Sequence, residues 1–155
     1  SQYSIAKTTG VRDLERADGV ASACVRICEE LASKGCVCVL ENPASGRMKS
    51  REFMLPHKHR MRVTSYCKWS TNEQPFMYRK DTSLWLWNVD FEPPRCRYDC
   101  DATVGSRKHK FSAQKGPDHG KPNRHTTSQL NRGPHKLIEA LMDAAFLGPS
   151  KRGSL

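Results

Sequence analysis

The 155-residue chain has no run of about 18 apolar residues, so its sequence encodes no transmembrane span. Its first residues, Ser1-Gln2-Tyr3-Ser4, carry neither a basic n-region nor an apolar h-region, which excludes a secretory signal peptide at this point. An initiator Met is also missing, as expected of a chain that starts inside a longer protein. No internal repeat is present, which excludes solenoids and propellers. Apolar residues are scarce at 37%, below the usual globular share, so part of the chain is expected to pack poorly. An even set of cysteines is lacking too. The seven (Cys24, Cys28, Cys36, Cys38, Cys67, Cys96 and Cys100) are odd in number and clustered, unlike a secreted disulfide framework. A reducing, intracellular compartment is the expectation, with nucleus or cytoplasm left open.

Acidic residues are few. Sixteen Asp and Glu face 26 Lys and Arg, giving a formal net charge of +10. A field of that sign and size favours polyanions, and phosphate contacts dominate non-specific nucleic-acid affinity. Nucleic acid is the expected partner, DNA or RNA left open; simple solubility is the plainer explanation of the charge.

The length suits one compact domain. Leu14, Ala17, Ala21, Cys24, Cys28 and Leu31 recur at spacings of three and four, which predicts an amphipathic helix. Asp13 would cap it and Gly35 would end it. Cys36-Val37-Cys38-Val39-Leu40 follows as a short apolar run, predicting a strand buried on both faces as in a parallel sheet. Residues 44–55 suggest a short broken helix. Residues 62–67 and 83–87 predict two neighbouring strands joined by a long polar loop.

From Val104 to Gly133 there are seven Lys or Arg, three His and one acidic residue, with little to bury. That stretch is expected to be mobile and basic. Pro134 suits the first turn of a last helix, with Leu137, Ile138, Leu141, Ala145 and Phe146 on one side. The tail from Gly148 is expected to fray. This divides the chain into an α/β part (1–92), a basic Cys/His-containing loop region (93–133), a C-terminal helix of the same domain (134–147) and a tail (148–155).

Glu41-Asn42-Pro43 directly follows the predicted buried strand. Open α/β sheets bind ligands at the carboxyl ends of their strands. An acidic group there can hold a heterocycle by a ring nitrogen and an amino group. The plain alternative is an Asn-Pro turn beside a solvated Glu.

Leu40-Glu41-Asn42-Pro43 after an amphipathic helix resembles the Glu-Asn motif of cytosine-5 DNA methyltransferases, closest to a divergent subgroup whose motif reads Glu-Asn-Pro. The subgroup continues with a Gly-x-x-Lys-x-Arg-x-Phe-Met-like stretch, matched by Gly46 to Met54. A strand ending in Tyr-Cys follows, matched by Val63 to Cys67, then a basic segment leading to Leu-Trp, matched by Tyr78 to Trp85. A Pro-x-Cys-x-x-x-Cys element comes next, matched by Pro94 to Cys100, then Gly105, Lys108-His109-Lys110 and Gln114 to Pro117. Ser1-Gln2-Tyr3-Ser4 is similar to the run that trails the family's catalytic Pro-Cys loop. The likeness spans about residues 1–145.

The resemblance implies a partial Rossmann-like S-adenosylmethionine-dependent methyltransferase fold, cut so that the nucleophile and most of the S-adenosylmethionine site lie outside this chain. It implies DNA as substrate, with the target cytosine flipped out of the duplex. A cysteine thiolate attacks C6, C5 takes the methyl group, and a base removes the C5 proton. Glu41 would sit against N3 and the exocyclic amine, a role that calls for a desolvated carboxyl group. Asn42 and Pro43 would shape the loop, and Arg79 and Lys80 match the family's basic entry. Asp81 and Ser83 stand where the family most often has arginines, a departure that bears on catalytic competence. Alone, the fragment would be inactive.

Cys96-x-x-x-Cys100 with His109 offers three ligands at a spacing within the loose range of structural zinc, with Cys67 or His119 as a fourth. The alternative is two packed or surface thiols, and the residues by themselves assign no metal ligand. His57-Lys58-His59-Arg60-Met61-Arg62 is a dense basic run that fits phosphate contact or a solvated face. Trp69, Trp85 and Trp87 offer flat surfaces for bases, but Trp85 and Trp87 share one strand face, which favours core packing. Beside the methyltransferase expectation stand a non-catalytic nucleic-acid-binding module with a zinc knuckle and an enzyme acting on RNA.

Overall fold

A computed structural model describes residues 14–111, 113 and 132–148. The expectations for residues 1–13, 112, 114–131 and the tail beyond 148, including the Asp13 cap, Gln114 to Pro117 and His119, lie outside the described residues.

Helix α1 spans Leu14–Ser33. Its buried line is Ala21 and Val25, flanked by the half-buried Leu14, Ala17, Cys28 and Ala32. The stripe is thus rotated slightly from the expected one, and Leu31 is 40% exposed. The helix stops as expected. Gly35 has φ +83°, its N–H donates to the Ala32 carbonyl (3.0 Å), and the Cys36 N–H reaches back to Leu31 (3.0 Å). This is a Schellman closure, and it needs a left-handed residue at Gly35.

Strand β1 (Cys38–Pro43), strand β2 (Met61–Ser65) and strand β3 (Asp81–Trp87) form one sheet in the order β1-β3-β2. Both outer strands pair antiparallel with β3, Leu40 opposite Trp85 on one side and Met61 opposite Trp85 on the other. The molecule is therefore mixed α/β, with a small antiparallel sheet and two helices.

The expected parallel strand buried on both faces is corrected here. β1 starts two residues later than expected, because Cys36 is spent on the helix cap. It is an outer strand whose residues alternate between half-buried and exposed. Val37 and Val39 are each 38% exposed. The position buried on both faces is occupied by β3, where every residue after Asp81 is buried.

One face of the sheet carries Trp85 and Trp87, packed under α1 with Met48 and Met54. The two indoles bury about 150–250 Å² each, stabilising by about 4–6 kcal/mol apiece as an upper bound. This settles both tryptophans as core, and Trp69 donates from Nε1 to Thr64 Oγ1 (2.7 Å) and stacks on Phe91.

Residues 44–60 form no α-helix but two 3-10 segments, Met48–Ser50 and Glu52–Arg60, the second carrying Pro56. The other face holds Leu84 and Leu86 with Tyr66, Phe76, Tyr78 and Leu137. Leu137 comes from helix α2, His135–Leu147, whose first N–H is accepted by the Gln74 side chain at 2.8 Å. Pro134 stands one residue before that helix rather than in it. Only Leu137 and Leu141 of its expected apolar side pack inward; Ile138 and Phe146 are 50% and 80% exposed.

Candidate functional site

Two groups of functional side chains lie at the end of the sheet where β1 and β2 finish and β3 begins.

The first group surrounds Glu41. Its carboxylate accepts a hydrogen bond from Thr82 Oγ1 across the strand pair. Lys80 and Tyr66 stand beside it, the Lys80 ammonium lying 4.7 Å from the Tyr66 ring centre. Burial, and then the negative charge of Glu41, push the Tyr66 hydroxyl up to about 12. Burial also pulls the Lys80 ammonium below its ordinary value, against the opposing attraction of Glu41. Asn42 follows with its side-chain oxygen buried and without a hydrogen-bond partner among the described residues. Such an orphan is unusual, because an unmet buried acceptor costs about 1–3 kcal/mol. Pro43 completes the loop, which the Ala44 N–H ties to the Asp81 carbonyl at 2.9 Å. Glu41 itself is exposed. Among the described residues it therefore lacks the desolvated surroundings expected of it.

Arg79 and Lys80, predicted together, point to different work. Arg79 turns to Asp81 instead of Glu41. Its Nε and Nη2 donate to the two oxygens of Asp81 at 2.8 and 2.7 Å. Asp81 also accepts from Ser65 Oγ at 2.6 Å and from Arg95 at 3.4 Å. Burial would raise the Asp81 carboxyl, but Arg79, Ser65 and then Arg95 outweigh it and hold the group below its ordinary value. Tyr98 lies over the Arg79 guanidinium, 5.1 Å from Cζ. Ser83, the other departure from the family pattern, is buried, and its hydroxyl has no partner among the described residues.

The second group is Cys67, Cys96, Cys100 and His109, whose ligand atoms all lie within 4.8 Å of one another. These four residues could hold a metal ion. Cys67 sits in the 3-10 turn Tyr66–Trp69 that continues β2. Cys96 and Cys100 belong to a loop anchored where the Cys96 N–H donates to Ser65 Oγ (3.0 Å). His109 returns on a tight turn bridged at Thr103 and His109, with Gly105 and Arg107 at positive φ.

Burial pushes the Cys67 thiol up, and the neighbouring Cys96 and Cys100 push it further. Burial opposes ionisation of Cys100 as well, but hydrogen bonds from Thr103, the Ala102 N–H and the adjacent thiols hold it below its ordinary value. Burial, followed by the charge of Arg79, keeps His109 below its ordinary value. Cysteine spacing pointed to Cys96, Cys100 and His109. Cys67 was visible only as one of two possible fourth ligands, because 28 residues separate it from Cys96.

The basic run 57–62 divides. His57 is buried, packs at 5.8 Å from Trp87 and lies 3.6 Å from Glu29. Arg60 covers Trp87, and Arg62 is paired with Glu92. Only Lys58 and His59 of these residues are exposed. No described helix is long and apolar enough to cross a membrane. Set against known proteins, the chain matches no family model, no curated protein and no solved structure.

Proposed function

We propose that this chain is the target-base part of a DNA cytosine-5 methyltransferase, in which Glu41 holds the flipped cytosine by N3 and its exocyclic amine. The observation that carries the reading is the end of β1. An acidic residue there is held by Thr82, and it is followed in Asn42 by a buried side-chain oxygen with no partner among the described residues. An exposed carboxylate next to a buried acceptor that no described residue meets suits a polar ring that arrives from outside. Asn42 and Pro43 shape the loop, and Lys80 keeps a cation beside Glu41. Arg79 serves the fold here, through Asp81, and reaches the base only if that pair opens.

S-adenosylmethionine, when bound, supplies the methyl group. The described residues contain no glycine-rich loop between a strand and a helix, so in this reading the donor site lies in another segment, as does the nucleophilic cysteine. The exposed outer edge of β1 is where further strands would add.

A second reading has its own observation. The Asp81–Arg79 pair ties up a cation that the family places on the base, which favours a non-catalytic nucleic-acid-binding module. The coding sequence upstream of Ser1 separates the two. The enzyme reading expects a Pro-Cys dipeptide immediately before Ser1 and a glycine-rich strand-loop-helix further back. Any other residue in the cysteine's place would leave only the binding module.

A further inference from the structure

We infer that Cys67, Cys96, Cys100 and His109 bind one zinc ion in a closed, tetrahedral, structural site. The distances carry the argument. Tetrahedral zinc with sulfur at ~2.3 Å and nitrogen at ~2.05 Å sets its ligand atoms about 3.8 Å (S to S) and about 3.6 Å (S to N) apart. Here Cys96 and Cys100 sulfurs are 3.6 Å apart, and His109 Nε2 is 3.5 Å from Cys96 and 3.2 Å from Cys100. The Cys67 sulfur completes a set of four donors that all lie within 4.8 Å of one another, and none of the cysteines is in a disulfide.

The donor set selects the metal. Three thiolates and an imidazole are soft and borderline ligands, which suit zinc over calcium or magnesium. Four protein donors leave no position for water, which marks a structural rather than a hydrolytic centre. The surroundings suit thiolate sulfur as well. The Tyr98 N–H donates to Cys96 Sγ at 3.3 Å, and Thr103 Oγ1 lies 3.5 Å from Cys100 Sγ. Such outer contacts orient metal ligands.

The site also answers a question of stability. Residues 93–111 contain no helix or strand beyond two isolated bridges, and their own buried cluster is little more than Cys67, Cys96 and Ala102. That is too little apolar surface to offset the ordering of so long a loop. A metal bonded to three separate segments crosslinks the end of β2 to the loop and the loop to its own return. Through Ser65, which contacts both the Cys96 N–H and Asp81, the crosslink also fixes the Arg79–Asp81 pair.

The site does not depend on the base-pocket reading, since no ligand belongs to the Glu41 group. The test is metal analysis of the full chain, purified under reducing conditions. About one zinc per chain is expected. A strong chelator should remove it and lower Tm by about 10 °C or more. Cobalt substitution of the unmutated chain should give the intense visible bands of tetrahedral thiolate coordination, a readout that needs no variant to fold. Cys96→Ser should abolish the bands and Cys36→Ser, on an exposed cysteine, should leave them intact. His109→Cys should keep the metal and raise the sulfur-to-cobalt absorption by about a third, as three thiolates become four. A metal-free chain with an unchanged Tm in chelator, octahedral cobalt spectra, or a Cys96–Cys100 disulfide in the reduced preparation would overturn the inference.

Discussion

On the Asp81 carboxylate converge two guanidiniums and a hydroxyl, from Arg79, Arg95 and Ser65. The pKa of this group is depressed in the folded chain. The stability it contributes is therefore complete above its unfolded value, about 3.9, and is lost as pH falls through the lower folded value. Urea midpoints should drop steeply below about pH 4 in the natural chain, and Asp81→Asn should flatten that drop. The same substitution should cost about 1–3 kcal/mol at neutral pH, because it leaves Arg79 half-buried without its partner. An Asp81→Asn chain as stable as the natural one would show that the pair is incidental.

Nothing in the sequence announced this network. A motif comparison registers Asp81 only as a missing arginine. The pairing emerges because β2 and β3 place Ser65 directly opposite Asp81. The four-ligand cluster was partly legible for the opposite reason: Cys96, Cys100 and His109 are close in sequence, and only the distant Cys67 had to wait for the turn after β2 to be seen.

Among the elements, α1 was legible almost whole, because its small residues recur at helical spacing and Gly35 stops it. Two glycines make this testable. A Cβ at Gly19, inside the helix, and at Gly35, at its end, would each meet open space. Only backbone conformation distinguishes them. Gly19→Ala should stabilise by up to ~1 kcal/mol, whereas Gly35→Ala should destabilise by about 1–2 kcal/mol because φ is +83° there. Thermal melts that move in the same direction would contradict that account of the helix end.

The strands were found where β-branched and aromatic residues cluster, and β2 and β3 are neighbours as expected; only the place of β1 in the sheet was misjudged. A short apolar run such as 36–40 reads alike for a central strand and for an outer strand with an exposed valine edge. What decides is the neighbour, and β3 packs between β1 and β2 because its Thr82, Leu84 and Trp85 tolerate burial on both sides. The 3-10 segments of residues 48–60 lack any periodic signature, so only their irregularity could be anticipated.

At the scale of the whole molecule, the described residues leave three apolar surfaces uncovered: the start of β1 with Val37 and Val39, the outer face of α1 with Val20 and Ile27, and the outer face of α2 with Ile138, Met142 and Phe146. Exposed strand edges invite pairing with other chains. Val39→Lys should therefore reduce self-association of this chain in light scattering without lowering Tm. Unchanged scattering would point to the helices instead.

The charge of +10 makes a separate prediction. Duplex DNA binding should weaken as salt rises, with a linear slope of log affinity against log salt, since counterion release drives it. A flat dependence would remove nucleic acid as the partner. These tests concern the frame around Glu41, and they hold whether or not chemistry occurs there.

The central claim concerns Glu41 and is tested most directly by transfer of a labelled methyl group from S-adenosylmethionine to DNA. The protein to use contains this chain joined to its upstream segment, natural or carrying Glu41→Gln. The account predicts label on cytosine C5 with the natural protein and a loss of 100-fold or more, roughly, with the variant, while Tm stays within a few degrees. DNA and S-adenosylmethionine both bound with no label transferred, or equal transfer by the Glu41→Gln protein, would contradict it.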